Sequence, residues 1–347
     1  MIGSEPFGML SDGTVVTLYK IQNNLGEWVE LLDYGASIHA VCLKDKDGVL
    51  RDISLGVAKA EALEQFSHEG VTIGRVANRI AYGKCTIDGK AFELECNHRG
   101  HFLHGGSGNY AHKFFSASPA ADGQEITFSL LDTGEGGFDC AARVSVTFRF
   151  DERRRLSIRY QMKAEGTTIF CPTNHVYFDL SGEGDVLNHC LRVNANRWTP
   201  KGDLRMPQGE IAPVDGTPMD YRESRVLGEA LSQAAAERFF GGDPPQMDDT
   251  FLFDRTDGPV AELSYAGTGL AVQVQTDMPA MVAFTPFVHG PRPGKHGRYY
   301  AGYCGVALET QYVPNAINCP EYELPTFRAG EAFTSVTTYT FLTQNAQ

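Results

Sequence analysis

The sequence predicts an all-β protein: a large antiparallel β-sandwich with a few short helices. Hydrophobic and polar residues alternate over many short segments, which is the two-residue period of strands with one buried face. The 37 glycines and 17 prolines separate these segments at short intervals, as turns would. Strand and helix patterns do not alternate, which counts against a Rossmann fold or an α/β barrel. No linker-like tract interrupts the chain, so we expect a single domain over residues 1–347.

The predicted strands follow one another along nearly the whole chain. The clearest pair is a hairpin, in which 144–150 and 156–162 alternate and are joined by the polar segment DERRR. The same pattern predicts strands at 14–20, 28–34, 37–43, 126–131, 168–180, 260–264, 270–276, 280–285, 304–312 and 333–342. Helical spacing is confined to a short turn at 61–66 and a helix at 226–240, which a Gly-Gly pair ends.

Composition and charge exclude several classes of function. The net charge is −13, with 43 acidic against 30 basic residues and no basic stripe, so we expect no nucleic-acid partner. No segment approaches the roughly 18–20 apolar residues of a membrane helix. The eight cysteines form no CxxC pair, which argues against a disulfide framework and a zinc ribbon. The N-terminal residues lack the pattern of a signal peptide, so the expected location is the cytoplasm.

Two predicted strands carry polar residues that their surroundings do not explain. In CPTNHVYFDLSG, residues 171–182, strand alternation places His175, Tyr177 and Asp179 on one face and the apolar residues between them on the other. In GVALETQYVPNAINCP, residues 305–320, Glu309 lies within an apolar strand. A carboxylate is uncommon there unless it is paired or used. The alternative for Glu309 is a solvent-facing position on an edge strand.

A histidine-rich segment, CNHRGHFLHGG, invites a metal proposal. His98, His101 and His104 are three residues apart, a spacing that shares a face only on a helix. The glycines among them oppose a helix, so we predict no metal site and interpret His104 as a loop histidine. The glycines after His104 would let the backbone approach a ligand closely.

The remaining polar candidates lie beside predicted strands. Asn78 and Arg79 precede an aromatic-bearing strand, where the alternative is a surface arginine. Asp248 and Asp249 are adjacent and point to opposite faces of a strand, so they do not form a carboxylate dyad. A histidine with a pKa near ~6.5 and a glutamate near ~4.3 are a natural proton donor and acceptor. These residues support either an acid/base enzyme or a binder of a polar small molecule.

Five segments, in this order, resemble the galactose mutarotase (aldose 1-epimerase) family: ANRIAYGKCTIDGKAFEL, LHGG, TNHVYFDLSG, MDDTF and LETQYVPNAIN. The similarity extends over residues 10–342. The resemblance implies a galactose mutarotase-like supersandwich with an open sugar-binding cleft. It also implies a free monosaccharide as substrate, no cofactor and a monomer or homodimer.

The resemblance also implies roles for individual residues. Glu309 would remove the proton of the anomeric hydroxyl, and His175 would protonate the ring oxygen, so that the ring opens and recloses on either face. The sugar-contacting positions of the family correspond to Asn78, Arg79, His104, Tyr177 and Asp248.

Two departures from the family pattern concern the substrate. Asp249 stands where the family often has histidine, and an apolar residue, Met281 or Val282, stands where it usually has a sugar-contacting glutamine. They imply a preference for an aldose other than galactose. The alternatives are a non-catalytic or differently specific carbohydrate-binding protein, and a hexose-phosphate epimerase with further arginines around its cleft. Glycoside cleavage would need two facing carboxyl groups, for which Glu309 and Asp248 are the candidates.

Overall fold

The computed structural model describes residues 2–65, 68–202, 206–237, 244–254 and 257–344. The strands of the first half are β1 Gly3–Met9, β2 Val15–Gln22, β3 Trp28–Leu32, β4 Ser37–Lys44, β5 Leu50–Asp52, β6 Thr72–Ile73, β7 Arg79–Ile80, β8 Lys84–Ile87, β9 Lys90–Glu93, β10 Phe102–Leu103, β11 Ser116–Pro119, β12 Glu125–Asp132, β13 Ala142–Phe150, β14 Arg155–Ala164 and β15 Thr168–Ile169. Short 3₁₀ helices interrupt them at Ala60–Glu64, Ala81–Gly83, Gly106–Gly108, Tyr110–His112 and Glu135–Gly137.

The second half continues in the same manner. Its strands are β16 Thr173–Asn174, β17 Tyr177–Phe178, β18 Cys190–Val193, β19 Arg197–Thr199, β20 Ala212–Pro213, β21 Arg225–Val226, β22 Asp248–Leu252, β23 Ala261–Tyr265, β24 Leu270–Thr276, β25 Ala280–Phe284, β26 Val288–Pro293, β27 Tyr299–Gly302, β28 Val306–Gln311, β29 Thr326–Phe327 and β30 Ala332–Thr343. Its helices are α1, Leu227–Ala236, and the 3₁₀ helices Lys295–Gly297 and Ala316–Asn318.

Three antiparallel sheets make up most of the structure. The largest has nine strands in the order β11-β12-β13-β14-β30-β24-β23-β18-β21, the second has six in the order β17-β28-β25-β22-β19-β20, and the third is β1–β5. Buried residues of all three meet in one hydrophobic core, to which Val146, Leu308 and Ile21 each contribute from a different sheet. This arrangement confirms the predicted all-β sandwich.

The predicted hairpin is confirmed, because β13 and β14 pair along their whole length with Val146 opposite Tyr160. The continuous half-buried strand at 168–180 is wrong. That segment contains three two-residue strands, which pair with β29, β6 and β28 in turn. Every residue from 168 to 181 is buried, because the chain runs through the interior and has no solvent face. Period-two alternation cannot signal such a segment, since both of its faces are covered.

The helix predictions hold within the described residues. α1 lies inside the predicted range 226–240, of which residues 238–240 are outside the described ranges. The turn predicted at 61–66 is the 3₁₀ helix Ala60–Glu64. Residue 66 of that prediction also lies outside the described ranges. No described helix has the length and apolar character needed to cross a bilayer.

The two faces of the six-stranded sheet differ in character. Leu308, Met281 and Phe251 point into the main core. Their neighbours along the strands point the other way, and the pairing places Glu309 of β28 opposite Val282 of β25. We call this second face the site face. It follows that Val282, rather than Met281, is the apolar residue beside Glu309.

Candidate active site

Glu309 lies on the site face, on the second strand of the six-stranded sheet. Its strand, β28, is interior to the sheet, between β17 and β25, and all its residues are buried. Glu309 itself is 2% exposed, so the edge-strand alternative is wrong. Burial raises the pKa of its carboxyl group well above the usual range. The nearby carboxylate of Asp248 acts in the same direction, and the guanidinium of Arg79 opposes both.

Antiparallel pairing arranges the site face in two rows of neighbouring side chains. One row runs across four strands through Tyr177, Ala307, Phe284 and Asp248. The next row runs through Glu309, Val282, Thr250 and Thr199. Residues directly opposite each other on paired strands share a face. Strand register thus brings Tyr177 and Asp248 to the face that carries Glu309, although up to 132 positions separate these residues in the sequence.

His175 meets this face from the segment between β16 and β17. Its backbone N–H donates to the carbonyl of Val71 (2.9 Å), and its carbonyl accepts from Gly70 (3.1 Å). These bonds hold the imidazole with Nε2 3.4 Å from Glu309 Oε1. Burial and, to a smaller extent, the charge of neighbouring His68 lower the pKa of His175 to about 3.

The pair of His175 and Glu309 is incompletely hydrogen-bonded. Both side chains are buried, yet no residue of the described ranges forms a hydrogen bond with His175 Nδ1 or Glu309 Oε2. Buried polar atoms usually have partners, and an unpartnered one costs about 1–3 kcal/mol. Groups left in this state on a polar face are suited to contact a ligand.

His104 and Asn78 hold each other beside His175. The N–H of Asn78 donates to Nδ1 of His104 (3.1 Å), and the N–H of His104 donates to the carbonyl of Asn78 (3.0 Å). Because Nδ1 accepts, the proton of the neutral imidazole is on Nε2. The ring centroid of His104 is 5.7 Å from that of His175. A Cβ at Gly105 would lie 2.1 Å from the carbonyl oxygen of Gly74, so this glycine lets two backbone segments pack closely. The close approach of a ligand at these glycines stays a prediction.

Arg79 and Asp248 face each other on the same side of the sheet. Arg79 Nη1 is 4.0 Å from Asp248 Oδ2 and donates to the side-chain oxygen of Asn78 (3.3 Å). The arginine side chain is 19% exposed and the aspartate 33%, so both remain accessible to a ligand. Arg79 therefore contacts Asn78 and Asp248 and is not isolated on the surface. The ring centroid of Tyr177 is 4.8 Å from that of His175. With Tyr177 included, all seven residues predicted for the site lie in this region.

Further residues belong to this region that sequence reasoning missed. The ring of His68 is 5.1 Å from His104 and 5.4 Å from His175. Phe284 lies 6.2 Å from both His175 and Tyr177, and Lys201 Nζ lies 3.2 Å from Asp248 Oδ2. His68 is a lone histidine in a short connection, and no sequence pattern marked it as a site residue. Phe284 could have been found by aligning the predicted strands 280–285 and 304–312 in register, whereas no strand was predicted near Lys201.

Asp179, which alternation placed beside His175 and Tyr177, serves the fold. It accepts hydrogen bonds from the backbone N–H groups of Ser181 (3.0 Å) and Gly184 (2.6 Å), and so holds the turn after β17. Within the described part of the chain, no three His, Cys, Asp or Glu residues are grouped as a metal site requires. The eight cysteines are free thiols.

Comparisons with known proteins agree with this geometry. The family model described as aldose 1-epimerase matches residues 17–340. Galactose mutarotase of Sus scrofa is 32% identical over 96% of this chain and 97% of its own length, and aldose 1-epimerase of Escherichia coli K12 is 30% identical over 99% and 100%. The crystal structure of the GalM/aldose epimerase homologue from C. elegans superimposes with a TM-score of 0.86 at 25% identity, covering 94% of this chain and 99% of that one.

The antiparallel sandwich, with a buried acid and an imidazole on one sheet face, places the protein among the galactose mutarotase-like folds. The match over nearly the whole chain is more specific. The chain belongs to the aldose 1-epimerase family.

Proposed function

We propose that this protein is an aldose 1-epimerase that interconverts the α and β anomers of a free hexose. The observation that carries the proposal is the 3.4 Å contact of His175 Nε2 with Glu309 Oε1, on a face lined by groups able to bind hydroxyls. Both partners are buried, and one polar atom of each has no described hydrogen-bond partner. A catalytically silent sugar-binding protein would have no need of such a pair.

In the proposed reaction Glu309 accepts the proton of the anomeric hydroxyl while His175 Nε2 donates a proton to the ring oxygen. The C1–O5 bond breaks, and its electron pair goes to O5 as the C1–O1 carbonyl forms. Rotation about C1–C2 presents the other face of the aldehyde. Closure then returns the proton of the C5 hydroxyl to His175 and that of Glu309 to O1. Each positioned group should contribute about 10²–10⁴-fold to the rate.

The buried surroundings suit a pair that shares one mobile proton. Burial raises the pKa of Glu309 and lowers that of His175, because it opposes charge on either group. The neutral pair, with the proton on Glu309, differs from the reactive ion pair only by one proton transfer between groups 3.4 Å apart. A bound sugar can complete that transfer through its own hydroxyl groups.

Five further residues are proposed to bind and orient the sugar: Asn78, Arg79, His104, Tyr177 and Asp248. The Nε2–H of His104 is a donor, since its Nδ1 accepts from Asn78. Burial raises the pKa of Tyr177 well above the usual range, which keeps its hydroxyl a neutral donor. Val282 places an apolar surface directly beside Glu309. A hydroxyl pointing at Val282 would lack a partner, which supports a preference for an aldose other than galactose.

Charge at the site does not favour a hexose-phosphate substrate. Arg79 and Lys201 both lie against the carboxylate of Asp248, so much of their positive charge is already balanced. The same proposal takes residues 1–347 as one domain that needs no cofactor. The protein would work in the cytoplasm as a monomer or homodimer, with a monosaccharide as its partner.

Polarimetry tests the function directly. Freshly dissolved α-anomers of glucose, galactose and a panel of other aldoses should each be followed with and without the protein. We expect at least one sugar to reach its anomeric equilibrium faster with native protein, and at the spontaneous rate with heat-unfolded protein. If no aldose relaxes faster, the proposed activity is wrong.

A further inference from the structure

Lys201 occupies a defined position at one end of the site face. β19 ends at Thr199, which pairs with Thr250 of β22. Pro200 follows and has no N–H for a further ladder bond. Continuing the antiparallel register by two residues places Lys201 opposite Asp248, on the same face. A backbone bridge between Lys201 and Pro207 holds the lysine beyond the strand end.

Opposite charges meet in this row of the sheet. Lys201 Nζ lies 3.2 Å from Asp248 Oδ2, the same oxygen that Arg79 Nη1 approaches to 4.0 Å. The side chains of Lys201 and Arg79 are 24% and 19% exposed, and that of Asp248 is 33% exposed. The three charged groups can therefore reach a ligand. An ammonium has three N–H donors and a guanidinium five, more than one carboxylate oxygen can accept.

Asp249 holds the ammonium from the other side. Alternation turns its side chain away from that of Asp248, and it is only 4% exposed. Lys201 Nζ is 3.6 Å from Asp249 Oδ1. Burial raises the pKa of the Asp249 carboxyl group, and the charge of Lys201 opposes that shift. The lysine thus has one partner on the site face and a second, buried partner that fixes where its charge sits.

We propose that Lys201 is a sugar-binding and specificity-determining residue, and that Asp249 positions it. With Arg79 and Asp248 it would form a clamp for two adjacent hydroxyl groups. The carboxylate accepts both O–H bonds, and the two cations donate to the hydroxyl oxygens. This inference rests on the proposed function and deepens it.

The clamp would act on the part of the sugar remote from the anomeric carbon. Asp248 is on β22, two strands from Glu309 on β28, with β25 between them. Strands are spaced about 4.8 Å apart, so their backbones are separated by roughly 10 Å, about the reach of a hexose with its hydroxyl groups. The ligand class is therefore an aldose with neighbouring hydroxyls at that end, and aldoses deoxygenated there should be poor substrates.

The test compares Lys201→Met, Lys201→Arg, Asp249→Asn and the double variant Lys201→Met/Asp249→Asn with the native protein. The sugar is the one that native protein converts fastest. We expect Lys201→Met to raise KM about tenfold, the loss typical of a charged hydrogen bond, with kcat changed less than threefold. Lys201→Arg should keep KM within threefold. A matched control is Lys84→Met, because Lys84 is 71% exposed in an ion pair outside the site.

The double variant separates binding from folding. Lys201→Met should lower the thermal midpoint, because the buried Asp249 carboxylate loses its cation, and the added Asp249→Asn change should restore it. KM should stay raised in the double variant. A KM that recovers together with the thermal midpoint, or a KM for Lys201→Met equal to that of Lys84→Met, would overturn the inference.

A binding measurement keeps this result distinct from the test of the activity. Calorimetric titration of each sugar of the aldose panel into Glu309→Gln and into Glu309→Gln/Lys201→Met measures Kd without turnover. Native protein that accelerates no aldose would end the proposed function, while a tenfold weaker Kd would still support the clamp. An unchanged Kd, or no binding to either variant, would refute the clamp.

Discussion

Of the regions in which this protein buries ionisable groups, two treat them in opposite ways. In the first, Arg75 is 1% exposed and its guanidinium is fully engaged. Nε donates to Asp132 Oδ2 (2.8 Å), Nη1 to the hydroxyl of Thr168 (3.0 Å) and Nη2 to the carbonyl of Cys140 (3.0 Å). Asp132 also accepts from the hydroxyl of Tyr110 (2.6 Å). A buried charge that is paired and hydrogen-bonded in this way supports the fold.

In the second region, His175 and Glu309 contact each other, but each has a polar atom without a described partner. Burial without full hydrogen bonding costs stability, and proteins keep that cost mainly at functional sites. The contrast indicates which of the buried groups are available for a reaction. The Arg75 cluster should govern folding and leave the reaction alone, whereas the His175–Glu309 pair should govern the reaction at the expense of stability.

The largest effect is expected from removing the proton chemistry. Glu309→Gln and His175→Asn should each lower kcat by about 10²–10⁴-fold, because each removes one acid/base group while keeping its approximate shape. Steady-state polarimetry gives kcat, and calorimetry should show that the sugar still binds. If the Glu309→Gln protein turns over at nearly the native rate, Glu309 is not the base.

The opposite result is expected in the Arg75 cluster. Arg75→Met should lower the free energy of unfolding by about 3–5 kcal/mol, because Asp132 is left as a buried charge without its cation. Urea unfolding measures the loss, and kcat per folded molecule should stay native at a temperature where the variant is folded. Normal stability combined with a lowered kcat would contradict this prediction, because Arg75 would then serve the reaction and not the fold.

A smaller and opposite change in stability is expected at Glu309. Glu309→Gln should raise the free energy of unfolding at neutral pH, by up to about 1.4 kcal/mol for each unit by which folding raises the pKa of this carboxyl group, since an amide does not titrate. The gain should grow with pH. The folded pKa of Glu309 is raised, so the native protein loses stability as pH rises from about 4.5 through that pKa. A gain that shrinks with rising pH would contradict the assigned shift.

The smallest expected effect is the acid sensitivity that His175 contributes. Folding lowers the pKa of His175 to about 3, below its ordinary value of about 6.5. The stability that the neutral imidazole contributes is therefore fully present above about pH 6.5 and is lost as the pH falls below that value. One pH unit below 6.5 the loss is about 1.4 kcal/mol at most, and His175→Asn should lack it. Unfolding by urea at pH 7.5 and pH 5.5 measures the difference.

His189→Asn is the matched control for this measurement. Burial lowers the pKa of His189 to about 4, but its Nε2 accepts a backbone hydrogen bond from Leu180 (2.9 Å), outside the site. The control should therefore lose a similar acid sensitivity and keep native kcat. A lowered kcat in His189→Asn would break the separation between the two kinds of buried histidine.

Much of the site could be predicted from residue types and order. Glu309 was conspicuous because a carboxylate inside an apolar strand needs a reason, and the resemblance to the family pointed to His175 and the five proposed sugar-binding positions. His68 and Lys201 were missed for a different reason. Their neighbours in space, His175 and Asp248, are far away in the sequence, and no local pattern encodes that proximity.

By itself, then, the sequence determined the all-β class, the clearest strands and the hairpin of β13 and β14, and it singled out Glu309 and His175 as the candidate acid/base pair. Alternation of side chains and turn-forming residues are local properties, which is why they can be read from the chain. Only the tertiary structure decided which face of which strand holds the site. Sheet register between distant strands placed Val282 beside Glu309 and Asp248 in the same row as Tyr177, and packing removed the solvent face that alternation had assigned to 168–180.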